Sequence, residues 1–489
     1  VSRLKELLSD TAVYGLSSVV ARFLGYLLVP FYTSYFDTAE YGVVGLIYAA
    51  MVFLNVVFTF GMESAYIRFA TERKGAADVY KTLQTAVLTV GLVLAALMWV
   101  AGDWVRPLMS LGGPHSETMY LLLIGILWSD ALSIVPYAEL RLVRKSFTYA
   151  GFRLVNVIIN LSLNIWLVAG LGWGIEAVLW SNLAASVVTL VGLWIITRSQ
   201  LSGRFDTSIL RHALLFGLPY VPNGLGFAMN EVIDRFFLNN MAQGDILRIY
   251  EIDYSPENIT GIYNACYKLA IFMLLAVQMF RMAWQPFFMK YASEKQNHIL
   301  FGQVFDWFNL FAAGIFLAIG LFVHDIAALH VPVLDGTLID SRYWAGLSIV
   351  PVLLLAYWFQ GWFVNFSAGI FIKDQTSKLP AITLVGAVIT VLLNFVLVPV
   401  LGMLGAAIAT LVCYAVMSLL LLHYARKALD VNYRILRALL LMSGTGALIW
   451  LGTIAGPDFV TSFTGRVLLF GIGVVFVFLV GRPQTDVSN

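Results

Sequence analysis

Long apolar runs alternate with short polar connections along the whole 489-residue chain. A membrane-crossing helix needs about 20 mostly apolar residues, and by that rule about fourteen such segments are expected. The first covers 10–34, the seventh 208–239, the eighth 258–290, and the last two 435–455 and 463–480. Lysine and arginine follow the same alternation. One set of connections holds Arg3 and Lys5, then Arg68, Arg73, Lys74 and Lys81, then Arg141, Arg144, Lys145 and Arg153, and continues to Arg482. The opposite connections hold only Arg106, Arg248, Arg342 and Arg466. Under the positive-inside rule this asymmetry places both termini in the cytoplasm.

The seventh segment departs from the pattern from within. Its first half carries Pro219, Pro222, Gly224 and Gly226, and its second half Glu231, Asp234 and Arg235. Proline removes a backbone donor and glycine weakens a helix, so the segment is expected to bend or unwind there and to serve as a hinge. Broken backbone at membrane depth must sit inside protein or against a watery cavity.

The chain also repeats. The stretch 163–177 aligns without gaps on 393–407, with Leu163/Leu393, Asn164/Asn394, Gly172/Gly402 and Ala177/Ala407 among the identical pairs. Tyr41-Gly42 is echoed more weakly by Gly261-Ile262-Tyr263. The period is therefore six helices, and an even period makes the two copies parallel about an axis along the membrane normal. The expected architecture is all-α and polytopic, with two pseudo-symmetric six-helix bundles facing a central cavity, plus two C-terminal helices. Residues 1–200 and 201–428 would form the lobes, and 429–489 the additional helices and tail.

Composition agrees and narrows the function. The chain is 60% hydrophobic and 12% charged, where a soluble domain carries about 25% charged residues. A net charge of +2 gives no handle for nucleic acid. The first apolar run contains Arg22 and is too long for a signal-peptide core, so it is expected to stay in the mature protein. Cys266 and Cys413 both lie in apolar segments and read as buried thiols. The six histidines form no ligand cluster, and the glycines of 170–174 fall in a helix connection rather than a nucleotide loop. No Walker, HExxH or GxSxG motif is present. Neither a metal, a cofactor nor an enzymatic activity is expected.

The charges inside the apolar segments carry the functional expectation, since each costs about 2.5–3.5 kcal/mol at the centre of a membrane helix. Arg22, midway along the first segment, has no acid one turn away. It would face a cavity, a phosphate, or Asp130 on the fourth segment. Glu231 and Arg235, four apart, can pair along one face, leaving Asp234 to a neighbouring helix, with Lys268 the natural candidate. Lys268 and Arg281 lie roughly 140° apart around their helix axis, so both could edge a wide cavity.

Taken together, these residues resemble the bacterial polysaccharide flippases of the multidrug/oligosaccharidyl-lipid/polysaccharide exporter superfamily. The likeness rests on Arg22, Pro30 and Tyr41-Gly42, on Pro219 and Pro222 before Asp234-Arg235-Phe236-Phe237-Leu238, and on Gly261-Ile262-Tyr263, Lys268 and Ala283-Trp284-Gln285-Pro286-Phe287. It spans segments one to twelve, although the connection at 240–257 is longer than the family's usual one. The resemblance implies a flippase in the bacterial cytoplasmic (inner) membrane. It would move an undecaprenyl-diphosphate-linked oligosaccharide, such as an O-antigen unit, to the outer leaflet by alternating access. The family's cation-rich cavity maps onto Arg22, Arg235, Lys268 and Arg281. Asp234, Glu231 or Asp130 would carry a coupling proton or sodium ion, or serve as salt-bridge partners. Membrane lipids and other polysaccharide-assembly membrane proteins are the implied partners. The same fold also admits a lipid II flippase or a multidrug or small-molecule antiporter; a membrane polysaccharide polymerase would need a catalytic loop that these short connections do not offer.

Overall fold

A chain segment in lipid can satisfy its backbone only within itself, so the long apolar runs close as α-helices. A computed structural model describes residues 20, 24–26, 28–72, 76–112, 115–291 and 297–482. Among these residues, 12 helices are long and apolar enough to cross a membrane. The chain divides into two compact units, residues 1–261 and 262–489.

The first unit holds α1 (Leu28–Tyr35), α2 (Thr38–Thr59), α3 (Met62–Glu72), α4 (Ala76–Val100) and α5 (Ser116–Leu142). It continues with α6 (Ser146–Asn164), α7 (Glu176–Thr197), α8 (Thr207–Gly217), α9 (Tyr220–Asn239) and α10 (Gln243–Tyr250). Helix α11 (Pro256–Tyr291) begins in this unit and runs into the second. There follow α12 (Asn297–Leu321), α13 (Ile349–Ile372), α14 (Lys378–Leu401), α15 (Met403–Ala428), α16 (Ile435–Trp450) and α17 (Phe463–Gly481). A two-residue hairpin pairs His330 with Thr337 and Val331 with Gly336 in the connection between α12 and α13.

Two of the fourteen expected segments are not among the twelve helices. The first, 10–34, lies mostly outside the described residues, and α1 is its end. The seventh is two helices, α8 and α9, and the charges on α9 keep it from reading as a simple apolar span. The break is confined to Leu218 and Pro219. This is narrower than the sequence suggested. Pro222 falls in the first turn of α9, where its missing N–H costs no intrahelical bond, and Gly224 and Gly226 continue the helix.

The surroundings of the break explain why it is tolerated. Helices α2 and α3 form one spanning element, 38–71, interrupted at Phe60 and Gly61, both left-handed at φ 32° and 75°. That interruption lies against the α8 end: a Cβ added to Gly61 would stand 2.3 Å from the Gly217 carbonyl oxygen. Two irregular backbones thus cover each other inside protein, as the absence of water at that depth demands. Farther along, Gly224 lets α9 lie on Val56 of α2, and Phe53 meets Phe236 edge-on at 5.9 Å.

The internal repeat is visible in backbone geometry. Helix α7 packs on α5 and α6, and α15 packs in the same way on α13 and α14. The paired glycines both have positive φ, 69° at Gly172 and 58° at Gly402. Asn164 and Asn394 are both fully buried and donate to the carbonyl four residues back, in Asn160 and Thr390. The weaker echo is a contact in space. A Cβ on Gly42 would lie 2.0 Å from the Glu257 carbonyl oxygen, and one on Gly261 1.8 Å from that of Thr38. Asn258 donates to the Thr38 hydroxyl at 2.7 Å, and the Ser110 hydroxyl donates to Glu257 at 2.8 Å. Gly261→Leu would overfill this crossing, at a cost of about 1–3 kcal/mol. A Thr38→Cys/Asn258→Cys pair is therefore expected to oxidise readily in the parent protein and about tenfold or more slowly with Gly261→Leu, read as disulfide yield against time.

In the second unit α13 supplies the core, with Trp358, Trp362 and Phe366 fully buried. Asn309 accepts both indole N–H groups, from Trp358 at 2.8 Å and Trp362 at 2.7 Å. Both cysteines are free and buried, as expected. Cys266 donates to the Tyr343 carbonyl at 3.2 Å.

Candidate functional site

Four helices of the first unit carry polar residues at helical spacing on a single face, which is the pattern of a polar wall rather than of a lipid-facing surface. On α2 and α3 they are Asn55, Thr59 and Glu63; on α6, Arg153 and Asn156; on α7, Asn182, Ser186 and Thr189. With Asp130, Ser133 and Tyr137 of α5 they line one recess of about 290 Å³. A space of this size and polarity admits several waters.

Asp130 lies near the middle of the span Ser116–Leu142. It is half-buried and accepts a hydrogen bond from the Ser186 hydroxyl at 2.7 Å. Arg153 lines the same recess and acts electrostatically on Asp130. Its guanidinium rests over the rings of Tyr137 at 4.4 Å and Tyr149 at 5.6 Å, a cation–π arrangement that fixes a charge with little hydration. Asn156 donates to Thr189 at 3.1 Å and ties α6 to α7. At the rim, Glu63 is paired with Arg141. Deeper in the unit, buried Glu139 accepts from the Tyr66 hydroxyl at 2.5 Å and the Gln200 amide at 2.8 Å.

The repeat shows that this polarity is not a requirement of the fold. Carried across at the register of 163–177 on 393–407, Arg153 and Asn156 become Thr383 and Gly386, while Asn182, Ser186 and Thr189 become Val412, Val416 and Leu419. Only the first copy keeps the charged, hydroxylated wall. Buried polar groups cost free energy unless they have a use or a partner, so the difference marks the recess as functional ground.

The other sequence candidates belong to both units. Arg22 lies outside the described residues. On α9, Arg235 is buried and ion-paired to the adjacent Asp234 at 2.7 Å, and it also donates to the Glu231 backbone carbonyl at 2.6 Å. Asp234 was expected to turn toward a neighbouring helix. The flexible arginine folds back onto the adjacent carboxylate, so the two charges offset one another within α9. Lys268 and Arg281 belong to α11 in the second unit, Lys268 half-buried and Arg281 exposed. In the sequence Arg153 falls among the basic connections, whereas the structure places it on α6. Its signal was legible in the spacing of Arg153, Asn156, Asn160 and Asn164.

Among the described residues no three His, Cys, Asp or Glu side chains gather as a metal site. In the connection before α13, Asp340 caps the turn Ser341–Gly346 and accepts from the Arg342 backbone and side chain. Partial burial works against its charge, but the Arg342 bonds prevail and hold the carboxyl below its usual range. Arg466 grips Asp325 through both carboxylate oxygens, at 2.6 and 3.1 Å. Of these four side chains only Arg342 is exposed, and Asp340, Asp325 and Arg466 are half-buried.

Comparison with known proteins gives three results. A family model described as a polysaccharide biosynthesis protein matches residues 36–278. Among solved structures, the lipid II flippase MurJ in an inward closed conformation superimposes with a TM-score of 0.71 at 14% identity, over 95% of this chain and 97% of that one. A multidrug resistance MATE family transporter of the MOP superfamily, in its inward-facing conformation, gives 0.63 at 17% identity, over 86% and 95%. Among curated proteins none matches the chain by sequence.

Proposed function

From a chain that matches the polysaccharide biosynthesis family over residues 36–278 and has the fold of the MOP-superfamily transporters, we propose that it is a flippase for undecaprenyl-diphosphate-linked oligosaccharide. In this reading it carries repeat units from the inner to the outer leaflet of the bacterial cytoplasmic membrane by alternating access. The single observation that supports it most is the family match, because it points to polysaccharide assembly on a fold that exports.

Arg22, Arg235, Lys268 and Arg281 are the proposed partners of the diphosphate, since guanidinium and ammonium groups offset the cost of taking phosphate away from the interface. The oligosaccharide needs a wet, polar route, whereas the polyprenyl chain stays in lipid. The polar recess is the proposed coupling site. There Asp130 would alternate between facing Arg153 and taking up a proton or a sodium ion, so that an ion gradient biases the transport cycle. Asp234 and Glu231 act in this scheme as counter-charges for Arg235.

A deletion strain tests the reading. Complete lipid-linked repeat units are expected to accumulate on the cytoplasmic leaflet and to clear when the gene is restored. Units that reach the outer leaflet but stay unpolymerised would instead point to a polymerase. Accumulated peptidoglycan precursor would favour lipid II, the substrate named for the MurJ match. An unchanged lipid-linked pool would leave a small-molecule antiporter. Arg22→Ala is expected to abolish export at normal membrane levels, measured as surface polysaccharide per unit of protein; normal export would remove Arg22 from the mechanism.

A further inference from the structure

The second unit carries a basic recess that the transport scheme does not use. It has a volume of about 690 Å³ and is lined by Arg426, Arg434 and Arg437 together with Leu436, Leu440 and Val480. Its walls are the end of α15, the start of α16 and the end of α17. Ends of three spanning helices meet at one membrane face, so the recess lies at the boundary between headgroups and hydrocarbon. By the lysine and arginine distribution, this is the face assigned to the cytoplasm.

The chemistry is divided as an amphiphile requires. Leu436 and Leu440 are 73% and 51% exposed, which suits acyl chains beside them rather than water. The arginines edge the polar side. Arg434 is anchored by Asp306 at 3.2 Å, and Arg437 donates to the Arg482 carbonyl at 3.1 Å. Both guanidiniums are therefore held near the mouth, while Arg426 is exposed beside them. The first turn of α16, residues 435–437, opens on the same space, and its backbone N–H groups favour an anion.

We propose that this recess binds the phosphate headgroup of an anionic glycerophospholipid of the cytoplasmic leaflet, with its acyl chains along Leu436 and Leu440. Basic pockets between helix ends recognise headgroups in this way. The site is independent of the transported substrate and would fix the C-terminal helix pair in the bilayer.

The test uses the full chain in detergent, with native mass spectrometry of bound lipid. Phosphatidylglycerol is compared with phosphatidylcholine of the same acyl chains. The parent protein is expected to retain phosphatidylglycerol at least about fivefold better, the order set by one basic contact at a membrane surface. Arg426→Gln/Arg437→Gln should bring the two lipids close to equality without changing thermal stability, and Arg426→Lys/Arg437→Lys should keep part of the preference. Equal retention by the parent protein, or an undiminished preference in the glutamine variant, would overturn the proposal. So would a polyprenyl phosphate that displaces phosphatidylglycerol at a tenth of its concentration, since the recess would then belong to a substrate.

Discussion

Asp130→Asn is expected to reduce transport by roughly 5–150-fold, the loss that follows when a coupling free energy of about 1–3 kcal/mol is removed. The asparagine keeps the size of the side chain and can still meet the Ser186 hydroxyl now bound at 2.7 Å. It can neither be protonated nor balance Arg153. A purely structural role would show differently. An arginine left without its counter-charge at membrane depth costs about 2.5–3.5 kcal/mol on insertion scales, so the single variant also loses thermal stability. Asp130→Asn/Arg153→Gln removes both charges and should recover most of that stability, because absent pairs are better tolerated than broken ones. Transport should not return. If export recovers together with stability, the pair holds the helices and does nothing more, and coupling lies elsewhere. Surface polysaccharide per unit of protein and the thermal unfolding midpoint in detergent separate the two cases.

Gly61→Ala is the second large effect, and Gly172→Ala is its control. Both glycines are left-handed, at φ 75° and 69°, where an alanine stores about 1–3 kcal/mol of backbone strain. They differ in what surrounds them. At Gly172 an added Cβ meets nothing within 4 Å, whereas at Gly61 it would lie 2.3 Å from the Gly217 carbonyl oxygen and 2.8 Å from its Cα. Neither backbone can retreat, because each irregular turn shields the other from lipid. Overpacking adds about 1–3 kcal/mol, for a combined loss of about 2–6 kcal/mol at Gly61. The expected result is a strongly lowered unfolding midpoint for Gly61→Ala and a modest one for Gly172→Ala. Similar shifts in the two variants would mean that the paired breaks are not in close contact.

The helices were legible in the sequence because lipid leaves the backbone no alternative, and the repeat because Asn164/Asn394 and Gly172/Gly402 perform the same local tasks twice. The break near Pro219 was also legible, though not its extent. Composition marks Pro222, Gly224 and Gly226 as weak helix formers, but Pro222 sits in a first turn and Gly224 is needed for the approach to Val56. Tertiary packing overrides propensity there. The polar recess was largely illegible for a different reason. In the sequence Asp130 reads as a partner for Arg22 or as an ion carrier, yet Arg153 and Ser186 reach it from α6 and α7, whose rotation no single segment reveals. Arg153 was hidden by its proximity to a basic connection, and its membrane depth became evident only with the start of α6 at Ser146. Arg235 and Asp234 were recognised as embedded charges, but their mutual pairing depends on a side-chain fold that spacing along a helix face does not express.

The central claim is that the chain moves a diphosphate-linked oligosaccharide across a bilayer. The most direct measurement places the purified protein in liposomes loaded with a fluorescent short-chain polyprenyl-diphosphate oligosaccharide, and follows its accessibility to an impermeant glycosidase. An imposed ion gradient should raise the accessible fraction from about half toward completion with the parent protein, but not with Asp130→Asn. An accessible fraction that stays at the protein-free level, in a preparation shown to be folded, would contradict the account.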